Sequence, residues 1–249
     1  MKENTKPTLF TCLSPALLHL YDVNNTIVVV IDVLRATSTI ATALFNGAKE
    51  IIPVDSVSKC IRLGRELECI TAGERDGQIA PGLQHGNSSF EYPREFIEGK
   101  TLVLTTTNGT RLLHMALTRG ATEIITGSFL NLTAVCEHLV QMNRSVILAC
   151  SAWKDKVNIE DTLFAGAVVN RIKQYFAINC DSSHLAETVY LTAKGDMYGY
   201  MRDNDASHYH RLTNFGLQRD IEHCLTPDLA NILPEYVNGK LVINVNAKK

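Results

Sequence analysis

The chain reads as an α/β protein, a layered α/β/α arrangement over mostly parallel sheet. Short apolar runs alternate with longer segments of helical period, the signature of strands interleaved with helices. The runs are continuous and rich in β-branched residues, without polar alternation, as expected of strands covered on both faces. Two stretches, Val28 to Thr39 and Leu102 to Leu113, share one pattern: apolar strand, Thr-bearing polar turn with an Arg, helix. That pattern suggests two related α/β halves, although the match is too loose to define a repeat.

Taken in order, the clearest buried strand is Ile27-Val28-Val29-Val30-Ile31, followed by a helix from Ser38 to Phe45. Ile51-Ile52-Pro53-Val54 is the next strand, and Ser56 is placed to cap a helix running through Leu67. The stretch from Gly73 to Pro93 carries Gly73, Gly77, Pro81, Gly82, Gly86 and Asn87 and reads as a long binding loop. Thr101-Leu102-Val103-Leu104 leads into a helix from Arg111 to Leu117. Glu123-Ile124-Ile125-Thr126 and Ser145-Val146-Ile147-Leu148-Ala149 are further strands, and Thr188-Val189-Tyr190-Leu191 is read as another. Helical period is strongest after Asp161, where Phe164, Ala167, Val168, Arg171, Ile172 and Tyr175 form a mostly apolar stripe.

With 249 residues and no low-complexity linker, the chain is expected to form a single compact unit, 1–249. A subdivision near 120, into 1–120 and 121–249, is the alternative. A net charge of -2 argues against a nucleic-acid partner while leaving small anions open. No stretch has the length of a membrane span or the profile of a signal peptide. Seven irregularly spaced cysteines without a CxxC argue against a disulfide framework or zinc ribbon and suit a reducing cytoplasm. A soluble cytoplasmic enzyme is the expectation. A homodimer is compatible with the sequence, but no residue pattern argues for it.

Four constellations can carry chemistry. Asp32 follows the best strand, at the end of a strand where open α/β sheets collect ligands. Its carboxylate suits Mg²⁺ or attack on phosphorus. Arg35 can fork onto a phosphate, and Thr37 lies at a helix start able to hold an anion. Thr105, Thr106, Thr107, Asn108, Gly109, Thr110 and Arg111 form a donor-rich turn after a second strand, resembling a P-loop in logic but lacking its GxxxxGK[ST] pattern. Arg75, with Asn87 and Ser88 further on, offers a third anion clamp. Glu160 and Asp161 open the long helix, where they favour the dipole or, with Asp32, make an oxygen site for Mg²⁺. His208 and His210 fall in a polar stretch and read as a solvated segment, a role in covering the site staying open.

Cys69 and Arg75 match the C-x5-R spacing of cysteine-dependent phosphatases, but Glu68 would oppose a thiolate at Cys69. Haloacid-dehalogenase phosphatases need a second Asp two residues after the first, and that position is Leu34.

Val29-Val30-Ile31-Asp32-Val33-Leu34-Arg35-Ala36-Thr37, Gly73-Glu74-Arg75, Asn87-Ser88 with Glu91-Tyr92, and Thr105 to Arg111 occur in that order. Ile159-Glu160-Asp161 and the stretch from Gly216 to Asp220 follow. Together they closely resemble the 2-phosphosulfolactate phosphatase family, from about Val28 to the C-terminus. The resemblance implies a fold of the family's own type and a Mg²⁺-dependent hydrolysis of 2-phospho-3-sulfolactate to sulfolactate and phosphate, in the route to coenzyme M. It implies a small phosphorylated anion as substrate. Asp32, Arg35, Asn108 and Arg111 are then the expected catalytic group, with Asp32, Glu160 and Asp161 as metal ligands. Arg35, Arg75 and Arg111 could serve the substrate's three anionic groups. Two positions depart from the family pattern: Ser89 where a proline is usual, and Asp76 where glycine or a basic residue is frequent. The alternatives are a cysteine phosphatase built on Cys69 and Arg75, or a non-catalytic binder of small phosphorylated acids.

Overall fold

The computed structural model describes residues 6–75 and 77–244. The strands are β1 (Leu9–Cys12), β2 (Ile27–Ile31), β3 (Glu50–Pro53), β4 (Ile70–Arg75), β5 (Gln78–Ile79), β6 (Thr101–Thr105), β7 (Glu123–Gly127), β8 (Val146–Cys150), β9 (Pro234–Val237) and β10 (Lys240–Ile243). The helices are α1 (Ala36–Phe45), α2 (Val57–Glu66), α3 (Arg94–Ile97), α4 (Gly109–Thr118), α5 (Leu132–Met142), α6 (Ile159–Ile172), α7 (Asp181–Ala193), α8 (Met197–Asp203), α9 (Ser207–Asn214) and α10 (Gln218–Cys224).

The strands form one sheet in the order β1-β8-β2-β7-β9-β10-β3-β6-β4-β5. Pairing is parallel within β1-β8-β2-β7 and within β3-β6-β4. The C-terminal hairpin β9-β10 joins these groups through antiparallel pairs on both of its sides. Three antiparallel steps separate β7 from β3, so the two half-sheets run in opposite directions. The β3-β6-β4 group comes wholly from before residue 120, whereas the other mixes segments from either side of it: β2 pairs with both β7 and β8.

All five residues of β2 are buried, as its unbroken β-branched run requires. Ile27, Val29 and Ile31 face one core with Phe164, Leu163 and Val168 of α6 and Leu139 of α5. Val28 and Val30 face the other, with Ile40 and Leu44 of α1, Leu112 of α4, and Ile51 and Leu104 of the opposite half. Helices α1 and α4, each following the central strand of one half, are thus packed in the core between the halves. Ser56 caps α2 as expected, its hydroxyl accepting the Lys59 amide.

One expected strand is corrected. Thr188-Val189-Tyr190-Leu191 lies inside α7. Ser183, Ala186, Glu187 and Ala193 mark the buried face at helical spacing, and α7 packs closely on α6. Gly166 makes that approach feasible: a Cβ there would sit 2.0 Å from the Ala186 carbonyl oxygen. The β-branched run loses to this packing.

Candidate active site

Asp32 ends β2 in a tightly bonded turn. The Asp32 amide donates to Thr37 Oγ1 at 3.1 Å, and the Thr37 amide donates to the Asp32 carbonyl at 2.9 Å. Ser38 donates to the Val33 carbonyl, and Thr39 to the Asn87 carbonyl. The hydroxyls therefore shape the turn, with Thr37 locking it. The Asp32 side chain is buried, with Oδ1 3.4 Å from the Ala36 amide. Opposite it stands the start of α4 from the other half-sheet. Gly109 is needed there, because a Cβ would come within 2.8 Å of Asp32 Oδ2.

Around Asp32, a narrow cleft is lined by Leu34, Arg35, Glu74, Gly77, Asn87, Asn108, Arg211 and Leu212. It lies where the carboxyl ends of the oppositely running halves converge. The buried Arg35 guanidinium pairs with Asp220 at 3.0 Å and donates to the Gly77 carbonyl at 3.2 Å. Glu74 accepts the Gly77 amide on one oxygen, and the Thr107 amide and hydroxyl on the other. Burial pushes the Glu74 carboxyl up, but these hydrogen bonds and nearby Arg211 outweigh it and leave it below the ordinary value. Asp32 has the opposite fate. Burial raises it, Glu74 and Glu160 add to the rise, and His208 opposes it.

Two buried polar atoms on residues lining the cleft lack partners: Asn87 Oδ1 and Arg211 Nε. Unsatisfied buried groups are rare, and each calls for a partner such as a water, an ion or a ligand.

The threonine turn is differently organised from the phosphate cradle the sequence suggests. Thr106 and Thr110 bond reciprocally: the Thr110 amide donates to Thr106 Oγ1, and the Thr106 amide to Thr110 Oγ1. Thr107 holds Glu74, and Thr105 Oγ1 accepts from Arg75 at 3.3 Å. These hydroxyls brace the turn, and Asn108 is the residue of that loop that lines the cleft. Ser88 likewise caps a short turn in a reciprocal box with Glu91. Arg111 is not brought into the cleft; it makes a half-exposed ion pair with Asp155 at 2.9 Å.

The three-carboxylate metal set is not assembled as expected. Among the described residues, no group of three His, Cys, Asp or Glu side chains is placed to share an ion. Asp161 accepts the Val33 amide at 2.9 Å, and the Ser151 hydroxyl and Ala152 amide at 3.2 Å each. It ties the ends of β2 and β8 together. Burial, then Glu160 and Asp32, push its carboxyl well above the usual range. Glu160 is buried in a pair with His208 Nδ1. Oxygen donors nevertheless meet at the cleft: Asp32, the unpartnered Asn87 Oδ1 and the Asn108 amide. One carboxylate with neutral oxygens suits Mg²⁺, which binds few protein ligands and keeps waters.

The cysteine route fails on geometry. Cys69 precedes the first residue of β4 and Arg75 is its last. At about 3.3 Å per strand residue they stand roughly 20 Å apart, too far to form one cradle. Burial also pushes the Cys69 thiol up, with Glu50 adding to the rise.

A family model described as 2-phosphosulpholactate phosphatase matches residues 12–239. The chain belongs to this family. Similar relatives include proteins named probable 2-phosphosulfolactate phosphatase from Thermotoga maritima, 41% identical over 86% of this chain and 91% of its own length. Those of Caldanaerobacter subterraneus subsp. tengcongensis (39%, covering 88% and 90%) and Clostridium acetobutylicum (37%, covering 88% and 93%) carry the same name.

For this member of the 2-phosphosulfolactate phosphatase family, the residues that sequence reasoning missed come from α9. His208 is buried rather than solvated: it pairs with Glu160 and packs edge-on to Trp153, ring centres 6.1 Å apart. Arg211, one turn on, lays its guanidinium 5.1 Å from the centre of the Trp153 ring. The available signal was the spacing of His208, Arg211 and Leu212, which share a helix face. Of the two departures, Ser89 opens the short turn after Ser88, a position proline also fills, and Asp76 lies outside the described residues. No helix among the described residues is long and apolar enough to cross a membrane.

Proposed function

We propose that the chain hydrolyses the phosphomonoester of 2-phospho-3-sulfolactate, giving sulfolactate and inorganic phosphate. The observation that carries this reading is the buried Asp32 carboxylate on a cleft whose other walls supply Arg35, Asn87, Asn108 and Arg211. Family membership selects the substrate from the small phosphorylated acids such a cleft could take.

Water supplies the attacking oxygen and passes its proton to Asp32. The bond between phosphorus and the ester oxygen breaks, and that oxygen leaves as the sulfolactate hydroxyl, taking the proton that Asp32 accepted from water. Burial and the neighbouring carboxylates raise Asp32, which makes it a stronger base toward the attacking water. Arg35 is held by Asp220 and Gly77, so its orientation is fixed before substrate arrives. Asn87 and Asn108 offer amide groups to phosphoryl oxygens or to a cation. Asp32, Asn87 and Asn108 are the residues that would hold Mg²⁺, which when bound neutralises charge on the phosphoryl group. Seven free cysteines fit a reducing cytoplasmic setting.

Phosphate release from a panel of phosphorylated 2-hydroxy acids tests the reading, with 2-phospho-3-sulfolactate expected to be the best substrate. Asp32→Asn is expected to lower turnover by about 10³-fold or more, on the scale of losing a base. EDTA is expected to abolish turnover, and added Mg²⁺ to restore it. No release from the panel sinks the phosphatase reading; full activity in EDTA sinks the metal alone.

A further inference from the structure

We infer that Arg211 is the residue that recognises the sulfonate of the substrate, and so sets specificity for a phosphorylated acid with a further oxyanion. The inference rests on the phosphatase reading for the identity of the ligand, but its observations are independent of the catalytic end of the cleft.

The arginines differ in how their charge is used. Arg35 is neutralised by Asp220 at 3.0 Å. Arg111 is held by Asp155 outside the cleft. Arg75 donates to the Glu74 carbonyl at 2.6 Å and to Thr105. Arg211 lines the cleft, yet makes no ion pair or hydrogen bond among the described residues, and its Nε is buried without a partner. Glu74 attracts it, but both Glu74 oxygens are already engaged by Gly77 and Thr107. A guanidinium N–H withdrawn from water without a partner is costly, and an incoming oxyanion removes that cost.

The surroundings indicate which anion. Arg211 leans on Trp153, which is itself braced by the buried His208 ring. The guanidinium is therefore preorganised by its packing over an aromatic ring. A weakly hydrated cation matches a weakly hydrated oxyanion, and a sulfonate stays ionised across the working pH range. Leu212 and Leu34 supply apolar surface in the same cleft for the carbon chain between the two anions. Asp32 and Arg35 line the same cleft and are left to the phosphoryl group.

The experiment compares 2-phospho-3-sulfolactate with 2-phospholactate, which lacks the sulfonate. Affinities are measured by calorimetry on Asp32→Asn protein, where turnover does not interfere, with and without Arg211→Ala or Arg211→Lys. Steady-state kinetics are measured with Asp32 intact. Arg211→Ala is expected to weaken phosphosulfolactate binding by about 10–100-fold, the scale of a hydrogen-bonded charge, and 2-phospholactate binding by less than about 3-fold. Arg211→Lys keeps the charge and is expected to recover part of the loss, which shows that the fold is intact. Equal losses on both ligands, or no loss on either, overturn the assignment. So does wild-type discrimination that is already absent. If the affinities follow the expected pattern but no variant or wild type releases phosphate, the phosphatase reading fails and the sulfonate site stands.

Discussion

Replacing Asp220 by alanine strands the Arg35 guanidinium in a place with almost no water. Both side chains are nearly inaccessible, at 5% and 7%, and their charged atoms are 3.0 Å apart. At an effective dielectric of about 20, that separation corresponds to roughly 5 kcal/mol of gross attraction. Much of it offsets desolvation of the two charges, but the alanine variant keeps the desolvated cation and loses its partner. The expected cost is about 3–5 kcal/mol. For a chain of this size, that lowers Tm by roughly 6–20 °C. Urea denaturation and calorimetry measure it. The informative variant is the double, Asp220→Ala with Arg35→Met, which removes the stranded charge along with its partner. It is expected to recover to within about 2 kcal/mol of wild type, although inactive. A double variant as unstable as the single one, or a single variant within about 1 kcal/mol of wild type, would refute the argument.

Gly109→Ala places a methyl 2.8 Å from Asp32 Oδ2 and 3.1 Å from the Ala36 Cβ. It is expected to cost about 1–3 kcal/mol of stability and, by shifting Asp32, at least about 10-fold in kcat/KM; equal turnover in the two proteins counts against Asp32 as the reacting carboxylate. Glu74 titrates below its ordinary 4.5 because the hydrogen bonds from Gly77 and Thr107 outweigh burial. Its ionised form thus stabilises the fold above the unfolded value, and that contribution is lost as pH falls through the lower folded value. Glu74→Gln is expected to flatten the acid limb of stability in urea titrations from pH 3 to 7; an unchanged limb argues against this linkage.

Much of the architecture is legible in the sequence because local pattern and tertiary environment agree there. The run Ile27–Ile31 is buried on both faces, so composition alone marks it, and the turn after it carries Asp32 and Arg35 to the lining of the cleft. The run at Thr188 misleads because its β-branched residues sit on a helix whose buried face is set by contact with α6. The threonines after β6 look like ligands because a hydroxyl that braces a turn and one that binds phosphate are the same residue type. Their reciprocal bonds become visible only in three dimensions. Arg211 was hidden for a different reason. It joins the cleft of Asp32 from 179 positions away, on a helix of polar composition, and only its packing on Trp153 and its buried Nε distinguish it from a solvated arginine.

The hairpin that joins the two opposed half-sheets is made by the last strands of the described chain. During synthesis, which proceeds from the N-terminus, the ribosome delivers Asp32, Glu74 and Asn108 long before β9 and β10 emerge. Until then neither half has its central seam, and α9 and Asp220 have themselves only just left the exit tunnel. Closure of the cleft between the halves therefore waits on β9 and β10. A nascent chain halted before the hairpin would hold the Asp32 turn without its partner half in place, and would have to protect two unpaired sheet edges.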